Sequence, residues 1–178
     1  LPLAVGKSSG QALIEMPVYE SLGRLAPQPE FQELSWPQFS EAVKSLPQPI
    51  LPEKWAHFEP IAGAAWKMLF DLVKTPDKTS GLPNPYIRTA LQGFEQEIFV
   101  WDSSFTAMCT AYGAGVIPIY ATLDVLYSRQ FDGGYLHREH DVQSGLPILF
   151  EPDFSPNPPL LALAEWSIYQ ITAAETRL

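Results

Sequence analysis

One cysteine, Cys109, stands among 178 residues. No intramolecular disulfide can form, and the small disulfide-stapled scaffolds are excluded. Cys109 lies in an apolar stretch, where a buried thiol is expected to act as a small hydrophobe. Positive charge is scarce too: 11 Lys and Arg face 20 Asp and Glu, for a net charge of −9. Affinity for a phosphate backbone comes mostly from Lys and Arg, so nucleic acid is excluded as a partner, and anionic lipid is disfavoured for the same reason. No apolar run approaches the ~20 residues of a spanning helix, which excludes a membrane partner of that kind. No basic stretch followed by an apolar one marks a signal peptide at the start. Alternating apolar and polar residues are missing as well, so no segment makes a convincing strand. A neutral ligand suits this composition best.

What the sequence does hold is apolar and aromatic. Apolar residues make up 46%, with 5 Trp, 7 Tyr and 10 Phe, enough to build a buried core. Proline divides the chain. Between Pro27 and Pro60 lie Pro29, Pro37, Pro47, Pro49 and Pro52, too dense for a long helix or a central strand. Residues 1–60 therefore read as a Pro-rich extended arm laid over another surface. One short helix is expected within it, from Pro37 to Ser45, with Phe39 and Val43 on a shared face.

From Ile61 the period becomes helical. Lys67, Asp71 and Lys74 recur as a wet stripe on a helix over Ile61–Thr75 that is otherwise apolar and expected to be buried on most of its circumference. A second helix is expected after Asp102, carrying Phe105, Met108, Ala111 and Tyr112. A third spans Pro118–Gln130, with Leu123, Leu126, Tyr127 and Gln130 on one stripe. A fourth covers Leu160–Thr172, capped by Asn157 with Pro158 and Pro159 in its first turn. Residues 76–98 and 141–156 read as long loops, and loops of that length tend to carry function. The expected fold class is all-α.

Several residues could carry chemistry. Trp101–Asp102 stands at a helix start, where Asp102 could cap the helix and Trp101 could pack as a staple. The same pair could also form a sugar site, an aromatic plate against a ring face beside a carboxylate that accepts hydroxyl protons, since a capping Asp still has a second oxygen. Gln130 ends an apolar stripe just before Asp132-Gly133-Gly134, and its amide must satisfy the loop or face a polar pocket. Arg138 and Glu139 follow the glycines and read as a solvated pair or a pocket wall. His137 and His140, with Glu139 and Asp141, lack a well-placed third ligand, so no metal site is assigned. Gly6-Lys7-Ser8-Ser9-Gly10 has the letters of a nucleophile elbow without the strand–turn–helix context that makes such a serine reactive. The carboxylates Asp102, Asp124, Asp132, Glu139, Asp141 and Glu165 cannot be paired for hydrolysis from spacing alone.

Three segments, taken in order, resemble the N-terminal part of the catalytic domain of glycoside hydrolase family 63 and its bacterial mannosylglycerate-hydrolase-like relatives. They are Phe99-Val100-Trp101-Asp102-Ser103-Ser104-Phe105, then Gln130-Phe131-Asp132-Gly133-Gly134-Tyr135-Leu136-His137-Arg138-Glu139, then Asn157-Pro158-Pro159-Leu160-Leu161-Ala162-Leu163-Ala164-Glu165-Trp166. Trehalases share the Trp-Asp-Ser element and a Pro-Pro-Leu helix start. The likeness covers roughly Ile61 to Leu178.

The resemblance implies a six-hairpin (α/α)6 toroid, residues 61–178 supplying its N-terminal portion after the arm. It implies inverting hydrolysis of an α-glucoside or α-mannoside, without metal or cofactor, by an Asp acid and a Glu base. Trp101, Asp102 and Gln130 fall on the positions that line the subsite of the non-reducing sugar, with Phe105, Arg138 and Glu139 as weaker counterparts. The family's catalytic Asp and Glu lie in segments beyond the Asn-Pro-Pro helix, so no catalytic residue is expected in this chain. Twelve helices at ~11 residues each, with ~5 per connection, need roughly 190 residues. A chain that starts with Leu and holds four such helices therefore reads as part of something longer, or as one whose barrel another chain or copy completes. The expected partner is an oligosaccharide or small glycoside, and the alternative is a noncatalytic helical subunit or interaction module.

Overall fold

The computed structural model describes residues 5–8, 11–14, 33–76, 81–82, 85–130, 134–150 and 158–177. Among them the structure is mostly helical, with five α-helices: α1 (Trp36–Val43), α2 (Glu59–Leu72), α3 (Val100–Thr110), α4 (Ile119–Tyr127) and α5 (Leu160–Thr172). Three small antiparallel sheets accompany them. β1 (Val5–Ser8) pairs with β2 (Gln11–Ile14), which pairs with β7 (Ile148–Phe150). β3 (Val73–Lys74) pairs with β4 (Tyr86–Ile87), and β5 (Glu97–Phe99) pairs with β6 (Glu139–Asp141).

Local chemistry explains where the helices start and stop. Gln38 Oε1 accepts from the Ser35 amide at 2.9 Å and from its hydroxyl at 2.7 Å, while Pro37 pre-sets the first turn of α1. α2 ends when Val73 turns extended and enters β3. α3 grows straight out of β5, Phe99 being both the last strand residue and the residue before the helix. Beyond α4, Ser128 Oγ donates to the Val125 carbonyl at 2.6 Å and the Arg129 amide to Leu126 at 2.9 Å, a tightening that stops the helix.

Two apolar clusters hold these elements. The larger joins Phe39 of α1, Leu72 of α2, Ala107 of α3, Ile119 and Leu123 of α4, and Ala164 and Ile168 of α5. The smaller contains Leu82, Tyr86, Ile98, Val100, Val125, Leu126, Leu136 and Val142, and Leu161 touches both. Full burial of one such side chain contributes about 1.5–3 kcal/mol of transfer free energy. Thr122 ties helix to strand by accepting from the Ile87 amide at 3.0 Å while donating to Pro118 at 2.8 Å.

The expectation of an all-α chain needs correction. The spans expected as loops contain β4, the start of β5 and β7, strands of two or three residues that are too short for an alternating pattern to show. The segment expected to lie as an extended arm carries β1 and β2, a hairpin that pairs with β7, while α1 is the short helix expected there and its Phe39 enters the main core. Since β1 leads into β2 and not into a helix, the elbow context is absent there. Helix boundaries move as well: α2 spans 59–72, α3 begins at Val100, and α4 stops at Tyr127 and leaves Gln130 outside. Cys109 is exposed, not buried, because it lies on the outward side of α3. Asn157 and the segment Phe131-Asp132-Gly133 lie outside the described residues.

Candidate functional site

The site indicated by the sequence is built where β5 becomes α3. Strand pairing sets Phe99 opposite Glu139, Ile98 opposite His140 and Glu97 opposite Asp141. The ladder continues one residue into the helix, where the Val100 amide donates to the Arg138 carbonyl at 2.9 Å. Ser104 Oγ donates back to the Val100 carbonyl at 2.7 Å and stiffens the first turn. Trp101, Asp102 and Phe105 thereby follow directly on the pairing with Arg138 and Glu139, where β6 begins.

Two aromatic rings make this surface open. Trp101 is 50% and Phe105 47% exposed, one helical turn apart, with ring centroids 6.4 Å from each other. Trp101 is therefore not the buried staple that a purely structural role would require. Asp102 lies in the first turn and not at the cap position, so the helix does not need it as its N-cap. An acid there still favours the positive end of the helix dipole. Partial burial raises its carboxyl above the ordinary range, while its own backbone amide and the Trp101 side chain pull it back.

The other predicted residues divide. Glu139 is buried in the β5–β6 ladder, and Arg138 is half-buried beside it. Gln130 serves the backbone: its Nε2 donates to the Gly134 carbonyl at 3.3 Å. A cavity of about 250 Å³ lies elsewhere, between α1, the end of α2 and β3, lined by Glu33, Leu34, Phe39, Phe70, Asp71, Val73, Lys74 and Val116. None of the six predicted site residues lines it.

Carboxylate geometry, which spacing could not give, is explicit. Asp124 and Glu165 come together on one guanidinium. Arg177 Nη2 donates to Asp124 Oδ1 at 3.0 Å and to Glu165 Oε1 at 2.5 Å, and its Nε to Glu165 Oε2 at 2.9 Å. Burial alone would lower the Arg177 guanidinium, but its hydrogen bonds to Glu165 and Asp124, and their charges, outweigh that and raise it. The Tyr120 ring lies 4.7 Å from the Arg177 Cζ. Burial, then the Glu165 charge, drives the Tyr127 phenol upward. Both acids are thus held in ion pairs, not poised as an acid and a base.

Glu97 was not singled out by the sequence. Burial and the facing charges of Asp141 and Glu95 raise its carboxyl. Only the register of β5 against β6 reveals that neighbour. Asp141 itself is engaged in a turn, its Oδ1 accepting from the Ser144 amide and hydroxyl at 2.7 Å each. His140 is fully buried and neither ring nitrogen has a hydrogen-bond partner, while His137 stands edge-on to it at 6.3 Å. Among the described residues no three His, Cys, Asp or Glu side chains could hold a metal ion, and no helix is long and apolar enough to cross a membrane. No family model, curated protein or solved structure matches the chain.

Proposed function

We propose that the start of α3 is a carbohydrate-binding wall, and that the chain forms the N-terminal portion of an inverting α-glycosidase of the (α/α)6 type. The observation that carries this reading is the exposed pair of aromatic rings, Trp101 and Phe105, directly beside the part-buried carboxyl of Asp102. A pyranose has an apolar face and an equatorial rim of hydroxyls. The indole takes the face, and the carboxylate accepts hydroxyl protons at the rim. A carboxylate that is partly desolvated makes stronger hydrogen bonds than one fully in water.

In this reading Trp101 stacks, Asp102 accepts, Phe105 widens the platform, and Arg138 with Glu139 fixes the strand against which the helix starts. Gln130 holds the Gly134 carbonyl. No catalytic residue is assigned here. The acid that protonates the leaving oxygen and the base that activates water on the opposite face belong to segments other than those described. Titration with methyl α-glucoside, methyl α-mannoside and short α-linked oligosaccharides tests the wall, and an aryl α-glycoside tests turnover. Binding without turnover is expected. Turnover abolished by changing a carboxylate of this chain overturns the noncatalytic assignment, and silence toward every saccharide overturns the wall.

A second reading, a noncatalytic helical subunit, is favoured by the apolar surface left open on α2 and α5, where Ile61, Met68, Leu163 and Trp166 are exposed.

A further inference from the structure

The outer face of α2 is apolar and open, contrary to a helix buried on most of its circumference. Trp66, Leu69, Phe70 and Leu72 turn toward the core. On the adjoining side, over the first turns of the helix and before Leu72 closes it at the C-terminal end, Ile61 is 58% and Met68 50% exposed, and Ala64 and Ala65 between them are exposed as well. Positions 61, 64, 65 and 68 share one stripe of a 3.6-residue helix. No charge interrupts it. Lys67 and Asp71, the nearest charged residues, are paired with each other.

Along the stripe the order is large, small, small, large, symmetrical about the point between Ala64 and Ala65. Two identical helices crossing antiparallel at that point set Ile61 of each opposite Met68 of the other. The alanines face one another where the backbones approach most closely. A patch that is its own complement is the requirement of an isologous two-fold interface. Antiparallel packing also brings opposite ends of the two helix dipoles together. Trp55 and Phe58, both exposed just before the helix, extend the surface at each end. Taking on the order of 100 Å² of open surface at each of Trp55, Phe58, Ile61 and Met68, half of what a buried aromatic covers, and on the order of 50 Å² at each alanine, two copies remove at most roughly 1,000 Å², the level at which a specific interface begins.

We infer that this face pairs two copies of the chain across a two-fold axis between Ala64 and Ala65. The pairing involves none of the residues of the carbohydrate wall, so the two readings stand or fall separately.

Light scattering coupled to size exclusion measures the mass of the chain across micromolar to submillimolar concentrations, under reducing conditions because Cys109 is exposed. A dimer is expected, and Ala65→Arg, which sets like charges across the axis, is expected to give a monomer with an unchanged circular-dichroism spectrum. Ile61→Lys and Met68→Glu should each weaken self-association at least about tenfold. An equimolar mixture of those two variants should regain it, because the introduced ammonium then faces the introduced carboxylate at one of the two contacts. A monomeric parent chain, a dimer indifferent to Ala65→Arg, or a mixture no better than its components overturns the inference.

Discussion

The Val100 amide and the Arg138 carbonyl, 2.9 Å apart, carry the β5–β6 pairing into the first turn of α3. That bond satisfies one of the orphan amides at a helix start without a side-chain cap, and this is why Asp102 is not required as the cap. A helix held by a strand at its first residue is a rigid mount for whatever its first turn exposes. Here it exposes Trp101 and, one turn on, Phe105.

Arg177 is expected to be among the most costly single residues to remove. Its guanidinium pairs with both Asp124 and Glu165, and all three side chains are nearly sealed from solvent. Arg177→Ala removes the guanidinium that bonds both buried acids and should destabilise the chain by about 3–5 kcal/mol. Arg177→Lys keeps the charge but loses the fork that serves both acids, and should fall between. Urea unfolding compares the three; a loss below about 1 kcal/mol for Arg177→Ala would mean that the network contributes no more than an exposed ion pair.

Ala173 directs the chain into that network. It ends α5 with φ at +54°, a left-handed conformation that a side chain disfavours, and its amide donates to the Tyr169 carbonyl at 2.8 Å. The turn Glu175–Arg177 then folds back so that Arg177 reaches α4 and α5. Ala173→Gly relieves the conformation and should raise stability by roughly 0.5–1 kcal/mol. Calorimetry should show the higher melting temperature, and an unchanged or lower one contradicts the strain.

How much of this was legible in the sequence depended on the length of the signal. The helical periods around Leu123 and Leu126 and over Leu160–Thr172 are patterns of about a dozen residues, and helices stand there. β4 and β5 hold two and three residues, and their existence depends on partners such as Glu139 that lie far along the chain. The end of α4 before Gln130 depends on a hydroxyl, Ser128, that competes for a carbonyl. Glu165 read as one of several acids until Arg177 closed on it. The open face of α2 was invisible for another reason: a helix apolar on all but one stripe gives no sign of which apolar side its own protein covers.

His140 should make the chain acid-sensitive. Burial, then the charges of His137 and Arg129, pushes its imidazole down to about 3 from an ordinary 6.5. The folded chain therefore keeps it neutral, whereas the unfolded chain takes up a proton below pH 6.5. This contribution to stability is complete above pH 6.5 and falls by about 1.4 kcal/mol per pH unit from there toward pH 3. His140→Leu removes the titration and both unpartnered ring nitrogens. Urea midpoints at pH 7 and pH 5 should differ less in His140→Leu than in the parent, and equal differences contradict this assignment.

The central claim is that Trp101 and Asp102 face a carbohydrate, and saturation-transfer NMR with methyl α-glucoside and methyl α-mannoside tests it most directly. Trp101→Ala and Asp102→Asn alter exposed or half-buried groups, so each should change stability by less than about 1 kcal/mol. The parent chain is predicted to transfer saturation to the sugar ring protons. Trp101→Ala should abolish the transfer, and Asp102→Asn should weaken it. Transfer of equal strength from the parent and from Trp101→Ala, or none from the parent, would contradict the claim.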